Sequence, residues 1–219
     1  MPKRKIPLVE DETYHIISKS IAGFVIFRNE SEYERMKQLI KYYKLNNPPL
    51  RFSAFLEIKN KEFFYKNYCS NKDNLVEIIS YCLMPTHIHL VLRQLQHNGI
   101  STFLSNILNS YTKYFNAKTK RKGPLWESRF KNVFIKTEEQ ILHVTRYLHL
   151  NPITAYLAKK PQDWNYSSYK EFLEEIGSDE KLCDFSKVIQ INSKEYIKFV
   201  ESQIDYQRKL AECKKLFIE

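Results

Sequence analysis

The chain has 219 residues, with 35 Lys and Arg against 25 Asp and Glu, and its formal net charge is +10. This length suits one domain with an appendage, four glycines argue against collagen and glycine-cradled nucleotide sites, and no apolar run is long enough to span a membrane. Four cysteines without a CxxC pair argue against a zinc knuckle or a disulfide framework, so we expect a cytoplasmic protein, and its Lys-rich composition is common in bacterial proteomes. The basic excess favours a polyanionic partner such as nucleic acid.

The N-terminal part predicts a strand, a helix and an insertion. Residues 13–18 are rich in β-forming side chains and are typical of a strand. Asn29 and Glu32 have the spacing of a capping box, which opens a helix over about residues 31–45. We interpret residues 46–74, which begin with a helix-ending Asn-Asn-Pro-Pro, as a partly helical insertion.

Two strands follow. Residues 75–84 are apolar on both faces, as in a central strand, and residues 87–93 predict another strand. Only Pro85 and Thr86 separate them, which is too short for a crossover helix, so the two strands should form an antiparallel hairpin.

The rest of the core alternates helix, strand and helix. Ser101 is the predicted N-cap of a helix, a basic loop follows at residues 116–122, and residues 129–136 predict a strand. A second capping box at residues 137–140 opens a further helix, which residues 151–152 (Asn-Pro) should end.

The order of these elements predicts the fold class. Strand, helix, strand, strand, helix, strand is the βαββαβ series of an α+β, ferredoxin-like (RRM-like) antiparallel sheet with helices on one face, and the last helix is additional. We predict a catalytic-type domain at residues 1–177, including the insertion, and a helical C-terminal extension at residues 178–219. The extension has a broken apolar stripe at Tyr196, Phe199, Ile204 and Leu210.

Two short patterns could carry chemistry. His87 and His89 alternate on a strand, so both imidazoles leave one face and form half of a divalent-metal site, unless they are unrelated polar side chains. His143, Tyr147 and Asn151 share one face of the last helix, away from its apolar stripe. Near a metal or a basic group, such a tyrosine becomes a nucleophile; otherwise it packs against the sheet.

A basic and aromatic stretch spans residues 111–131. It holds seven Lys and Arg, one Glu and five aromatic residues, which suits phosphate contacts and base stacking, although a solvated loop with core aromatics has the same composition. The candidate DNA contacts are Lys118, Lys120, Arg121, Lys122, Arg129 and Lys131.

Four segments occur in a characteristic order, namely LMPTHIHLVL, SYTKYFN, GPLWESRFK and RYLHLNP. Together they resemble the single-tyrosine HUH transposases of the IS200-like group, most of all the REP-associated tyrosine transposases. The resemblance covers roughly residues 14–169. It implies a ferredoxin-like domain whose extra helix carries a nucleophilic tyrosine.

The resemblance also implies roles for individual residues. It implies that Tyr147 attacks single-stranded DNA to form a 5′-phosphotyrosine intermediate, and that His87, His89 and Asn151 bind Mg²⁺ or Mn²⁺. The implied partner is single-stranded DNA with hairpins, bound by a monomer or a homodimer, and no membrane is involved. His143 could orient the phenol, or it could be a surface histidine without a catalytic part.

Two other functions stay open. One is a non-catalytic or domesticated single-stranded nucleic-acid-binding protein on an RRM-like sheet, although the exposed face of the 87–93 strand carries His87, His89 and Val91 rather than stacking aromatics. The other is a metal-dependent hydrolase that activates a water molecule, with Tyr147 in a structural role.

Overall fold

The computed structural model describes residues 6–69, 72–177 and 180–209. Four strands form the sheet: β1 (Thr13–Lys19), β2 (Val76–Met84), β3 (His87–Gln94) and β4 (Lys131–Ile135). Their order is β2-β3-β1-β4, and every neighbouring pair is antiparallel. The predicted hairpin of β2 and β3 is confirmed, as is an α+β fold built on an antiparallel sheet.

Seven α-helices accompany the sheet in the described part of the chain. They are α1 (Glu30–Tyr43), α2 (Phe52–Leu56), α3 (Lys61–Phe64), α4 (Gly99–Thr119), α5 (Glu138–Thr154), α6 (Tyr169–Phe172) and α7 (Ser193–Glu201). The segment predicted as a partly helical insertion contains α2, α3 and a π-helical turn at Tyr65–Cys69.

Side-chain caps begin two of the long helices as predicted. The Asn29 side chain accepts a hydrogen bond from the backbone N–H of Glu32 (3.3 Å) at α1, and the Thr137 hydroxyl accepts one from the N–H of Gln140 (3.1 Å) at α5. Each bond satisfies an N–H that has no partner inside its own helix.

The predicted boundaries of α4 were wrong at both ends. The helix begins at Gly99 after a left-handed Asn98 rather than at Ser101. A Cβ at Gly99 would lie 2.2 Å from the carbonyl oxygen of Leu75, so glycine permits the close approach of α4 to the residue before β2. The helix also continues to Thr119, so the basic loop is shorter than predicted.

The predicted end of α5 was wrong as well. Pro152 lies inside the helix, which continues to Thr154. The backbone N–H of Ala155 still bonds to the carbonyl oxygen of Asn151 (3.0 Å), and Ile153 is fully buried. Burial of this last turn offsets the hydrogen bond that the proline nitrogen cannot make.

The sheet separates two apolar clusters. We call the side of the sheet beneath α1 and α4 the first face; side chains of β1 and β3 such as Tyr14, Ile16 and Leu90 pack there. We call the side beneath α5, α6 and α7 the second face; Val91 and neighbouring side chains pack there. The extra helix α5 therefore covers the side of the sheet that α1 and α4 leave free.

Strand β2 was predicted to be central, but it lies at an edge of the sheet. All nine of its residues are buried because the chain after α5 covers the edge as well as the second face. The covering backbone bonds are Leu83 N–H to Tyr166 O, Ser168 N–H to Tyr81 O, and Asp184 N–H to Ile78 O.

Part of the predicted C-terminal extension packs on α5. Tyr196 of α7 is fully buried, and its hydroxyl lies 2.6 Å from Nδ1 of His149, whose Nε2 lies 2.7 Å from the Ser168 hydroxyl. Leu210 of the predicted stripe and Cys213 lie outside the described residues. Among the described helices, none is long and apolar enough to cross a membrane.

Candidate active site

His87 and His89 lie on the second face of the sheet. Because side chains alternate along β3, their imidazoles project beneath α5 while Ile88 and Leu90 are buried on the first face. The two rings are 4.9 Å apart between centroids. The predicted sharing of one face is therefore present in the structure.

A third histidine, His15 of β1, joins this pair. Its ring stacks on that of His89 with centroids 5.2 Å apart, and its Nε2 lies 3.0 Å from Nδ1 of His89. Nδ1 of His87 lies 2.9 Å from the Thr86 hydroxyl. In both His87 and His89 the Nδ1 atom thus has a hydrogen-bond partner, which fixes the ring and leaves Nε2 for a ligand.

The three imidazoles are neutral at physiological pH. Burial lowers the pKa of His15 to about 4. Burial, assisted by the nearby positive charge of Lys19, lowers the pKa of His87 to about 4. Burial and the neighbouring histidines lower the pKa of His89 to about 2. Neutral imidazoles keep the nitrogen lone pair that metal binding requires.

Tyr147 of α5 stands over the two central histidines. Its ring centroid is 6.2 Å from that of His15 and 6.1 Å from that of His89, both in edge contact. Tyr147 is 41% exposed, so part of the residue faces solvent. Burial of the remainder raises the pKa of the phenol above its usual value, so the hydroxyl carries its proton at neutral pH.

Asn151 lies one helical turn beyond Tyr147. Thr145 of α5 contacts Ser80, which pairs with Val91 of β3. Two residues later, Tyr147 contacts His89. The helix therefore runs toward the His87 end of β3, and its next turn, which carries Asn151, lies farther in that direction. Asn151 is buried, and its Nδ2 has no hydrogen-bond partner among the described residues. Within the described ranges no cluster of three or more His, Cys, Asp or Glu could hold a metal; the atom of this amide that can ligate a metal is its oxygen, Oδ1.

His143 is not joined to the tyrosine by its contacts. Its Nδ1 lies 2.9 Å from the guanidinium of Arg146, its Nε2 lies 3.8 Å from the Glu139 carboxylate, and its ring packs edge-on against Phe199. These partners hold it on the α7 side of α5. Tyr111 of α4, a second tyrosine in the quoted SYTKYFN segment, is buried, and its hydroxyl donates to the carbonyl oxygen of Ile26 (2.6 Å), which is a structural role.

The six candidate DNA contacts divide into two groups. Lys118 pairs with the buried carboxylate of Glu32 (3.2 Å), and Arg121 donates to carbonyl oxygens of Gly123 and Pro124, which fixes its own loop. The exposed remainder, with no ion pair to any residue that the structure describes, comprises Lys120, Lys122, Arg129 and Lys131.

Two basic residues flank the histidines on the second face. Lys131 of β4 pairs with Ile17 of β1, which pairs with His89 of β3, so these three residues form one row about 10 Å long. Lys19 pairs directly with His87. Sequence reasoning missed His15 and Lys19. The alternation of side chains along β1 places both residues on one face of the strand, but that face could be matched to the face of His87 and His89 only once the pairing of β1 with β3 was known.

Comparison with known proteins relates part of this chain to transposases. Residues 51–151 match the family model described as "Transposase IS200 like", a range that includes most of the predicted insertion. A Haemophilus influenzae protein named for the REP-associated tyrosine transposases is 26% identical over 116 residues, which cover 48% of this chain and 64% of that protein. The chain thus spans less than two thirds of that relative.

A solved structure supports the fold. A REP-associated tyrosine transposase bound to a REP hairpin superposes with a TM-score of 0.52 at 15% identity, over 87% of this chain and 99% of that chain. At this identity the likeness concerns the fold alone. The chain is therefore similar to the IS200-like transposases over residues 51–151, to a REP-associated tyrosine transposase in part of its sequence, and to another in its fold.

Proposed function

We propose that this protein is a single-stranded DNA endonuclease and strand transferase that uses Tyr147 as its nucleophile. The observation that carries this proposal is the convergence of His87, His89 and Tyr147 on the second face of the sheet, in a chain of which residues 51–151 match the family model described as "Transposase IS200 like". Tyr147 is partly exposed, whereas Tyr111 is fully buried.

In the proposed reaction, the Tyr147 oxygen attacks the phosphorus of one DNA phosphodiester. A bond forms between that oxygen and phosphorus, the bond from phosphorus to the 3′ oxygen breaks, and the phenol proton is lost while the leaving oxygen becomes a 3′-hydroxyl. The 5′-phosphotyrosine product stores the energy of the broken bond, so rejoining by an incoming 3′-hydroxyl needs no ATP.

The side chains around Tyr147 include donors that suit a divalent metal. The Nδ1 atoms of His87 and His89 have partners, so each ring can offer Nε2, and the buried Asn151 can offer its amide oxygen Oδ1; these three residues would hold Mg²⁺ or Mn²⁺. The ion, when bound, supplies Lewis-acid polarisation of the scissile phosphate. Imidazole donors favour the softer Mn²⁺ over Mg²⁺ at equal concentration.

His15 has the role of a positioning residue in this proposal. Ligation by His89 through Nε2 requires its Nδ1 to carry the hydrogen, and His15 Nε2 is the acceptor 3.0 Å away. The two flanking lysines, Lys19 and Lys131, would attract the DNA backbone to the same face. Because a solved relative is described as bound to a REP hairpin, we propose hairpin-flanked single-stranded DNA as the substrate.

The test is a covalent adduct. The full chain would be incubated with labelled single-stranded DNA from the flanks of its own gene, with Mg²⁺ or Mn²⁺, and separated on a denaturing gel beside Tyr147→Phe and His87→Ala. A shifted protein–DNA band that both variants lose supports the proposal. Cleavage with no adduct would instead favour activation of water, and binding with no cleavage on every flank would favour a non-catalytic DNA-binding protein.

A further inference from the structure

A second polar groove lies on the outer side of α1 and α4, across the sheet from Tyr147. Its volume is about 530 Å³, within the range of about 300–1,000 Å³ that is common for ligand sites. It is formed by α1, the start of α2 and one side of α4. Its lining residues include three cations, three aromatic side chains and no Asp or Glu; the cations are Arg35, Arg51 and Lys113.

The cations of the groove lack anionic partners. None of Arg35, Arg51 and Lys113 makes an ion pair with a residue in the described part of the chain, whereas Glu32 and Glu34 on the same helix are paired with other cations. The Arg35 guanidinium lies between two rings, 5.0 Å from the centroid of Phe52 and 4.7 Å from that of Tyr114. Its buried Nε has no hydrogen-bond partner among the residues that the structure describes, so one donor of the guanidinium is unsatisfied by them.

The remaining lining supplies stacking surfaces and base-edge partners. Tyr43 and Tyr114 are partly exposed in the groove, and the Tyr43 ring is held by a hydrogen bond from the backbone N–H of Phe52 to its hydroxyl (3.3 Å). Asn106 and Asn109 of α4 carry amides that can both donate and accept. Aromatic rings, amides and unpaired cations together suit the base and the phosphate of a nucleotide.

We propose that this groove binds an unpaired nucleotide segment, with its phosphates at Arg51 and Lys113 and a base against Tyr43. The identity of the bound nucleic acid, single-stranded DNA, rests on the proposed function. It adds a second contact region, which the candidate active site does not include. An acidic peptide would satisfy the cations but would leave the aromatic and amide surfaces unused, so nucleic acid is the better match.

The experiment measures binding without cleavage. The full chain carrying Tyr147→Phe would be titrated into a labelled twelve-nucleotide oligothymidylate in EDTA, and anisotropy would be followed at several salt concentrations. The test variant is R51Q/K113Q. The matched control is K194Q/K198Q on the exposed side of α7, which removes the same charge elsewhere. An acidic twelve-residue peptide serves as the competing ligand.

We expect R51Q/K113Q to raise the dissociation constant about tenfold and to reduce the slope of log affinity against log salt by about 1.4, which corresponds to two lost phosphate contacts on a single strand. The control should keep the parent slope. In a second readout, 5-iododeoxyuridine in the oligonucleotide should photo-crosslink to Tyr43 or Tyr114.

Equal affinities of R51Q/K113Q and the control would overturn the inference, as would crosslinks confined to other surfaces or preferential binding of the acidic peptide. Failure of the proposed function is distinguishable, because it would appear as no adduct with unmodified protein while groove-dependent binding persists. Conversely, if the adduct forms normally but oligonucleotide binding does not depend on the groove residues, only this inference is refuted.

Discussion

The two faces of the sheet bury different kinds of side chain. Beneath α1 and α4 the first face buries mainly apolar side chains, and two polar side chains buried there have partners: Tyr111 bonds to a backbone carbonyl, and Glu32 pairs with Arg28 and Lys118. Beneath α5 the second face also encloses three imidazoles near Tyr147 and the pair of Ser80 and Thr145. Burying polar groups is costly unless each finds a partner, so the first face mainly stabilises the fold, whereas the second also holds reactive groups in place.

The largest expected contrast comes from removing one oxygen on each face. Tyr147→Phe should abolish adduct formation and change the free energy of unfolding by less than about 0.5 kcal/mol, because Tyr147 is partly exposed and the substitution keeps its ring. Tyr111→Phe should leave adduct formation intact and lower the free energy of unfolding by about 1–3 kcal/mol, because the carbonyl of Ile26 loses its buried donor. Gel assays and urea unfolding of both variants would measure this, and an active Tyr147→Phe protein would contradict it.

The affinity of the protein for Mn²⁺ tests whether His15 positions His89 on the second face. His15→Phe keeps a ring of similar size but removes the acceptor for Nδ1 of His89, so we expect about 10–100-fold weaker binding of Mn²⁺. His15→Gln retains an acceptor, so its affinity for Mn²⁺ should lie between those of the unchanged protein and His15→Phe. Electron paramagnetic resonance of free Mn²⁺ would give the affinities without any DNA. If His15→Phe bound Mn²⁺ as tightly as the unchanged protein, His15 would have no positioning role.

Acid should weaken the second face through His149. Burial lowers the pKa of this imidazole to about 3, below its unfolded value of about 6.5, so the unfolded chain binds the proton first. Stability is therefore unaffected above pH 6.5 and is lost as the pH falls from 6.5 toward 3, by about 2 kcal/mol from His149 alone at pH 5.

Urea unfolding at pH 7 and pH 5 would measure this loss. His149→Asn should be less stable at pH 7, since it loses contacts with Tyr196 and Ser168, but should lose about 2 kcal/mol less on acidification. The exposed His97 is the control: His97→Gln should keep the full pH dependence. An identical pH dependence in His149→Asn would show that another group is responsible.

The smallest effect is expected from a single charge beside the histidines. Lys131→Gln should weaken binding of single-stranded DNA a few-fold and reduce the salt slope by about 0.7, since one phosphate contact is lost. Lys120 and Lys122 lie in the loop rather than in the row of His89, so their variants show whether position or mere charge matters. Equal losses from all three would indicate a diffuse electrostatic attraction.

Local signals in the sequence were enough for most elements and for part of the site. Capping residues and apolar spacing located α1 and α5, and alternation alone placed His87 and His89 on one face. His15 could not be found this way, because one histidine in a strand gains meaning only from its neighbour on β3. The edge position of β2 was hidden for a similar reason, since residues far along the chain cover it and give it the composition of a central strand.

The covering of the β2 edge by the chain after α5 also has a consequence for synthesis of the protein. The partner of Tyr81 at the edge of β2 is Ser168, 87 positions later, so a ribosome completes the hairpin well before the segment that shields it. During this interval the open edge can pair with the same strand of another nascent chain. Expression at low temperature, or with a chaperone that binds exposed strands, should therefore raise the yield of this protein more than that of one whose sheet edge is closed by nearby sequence.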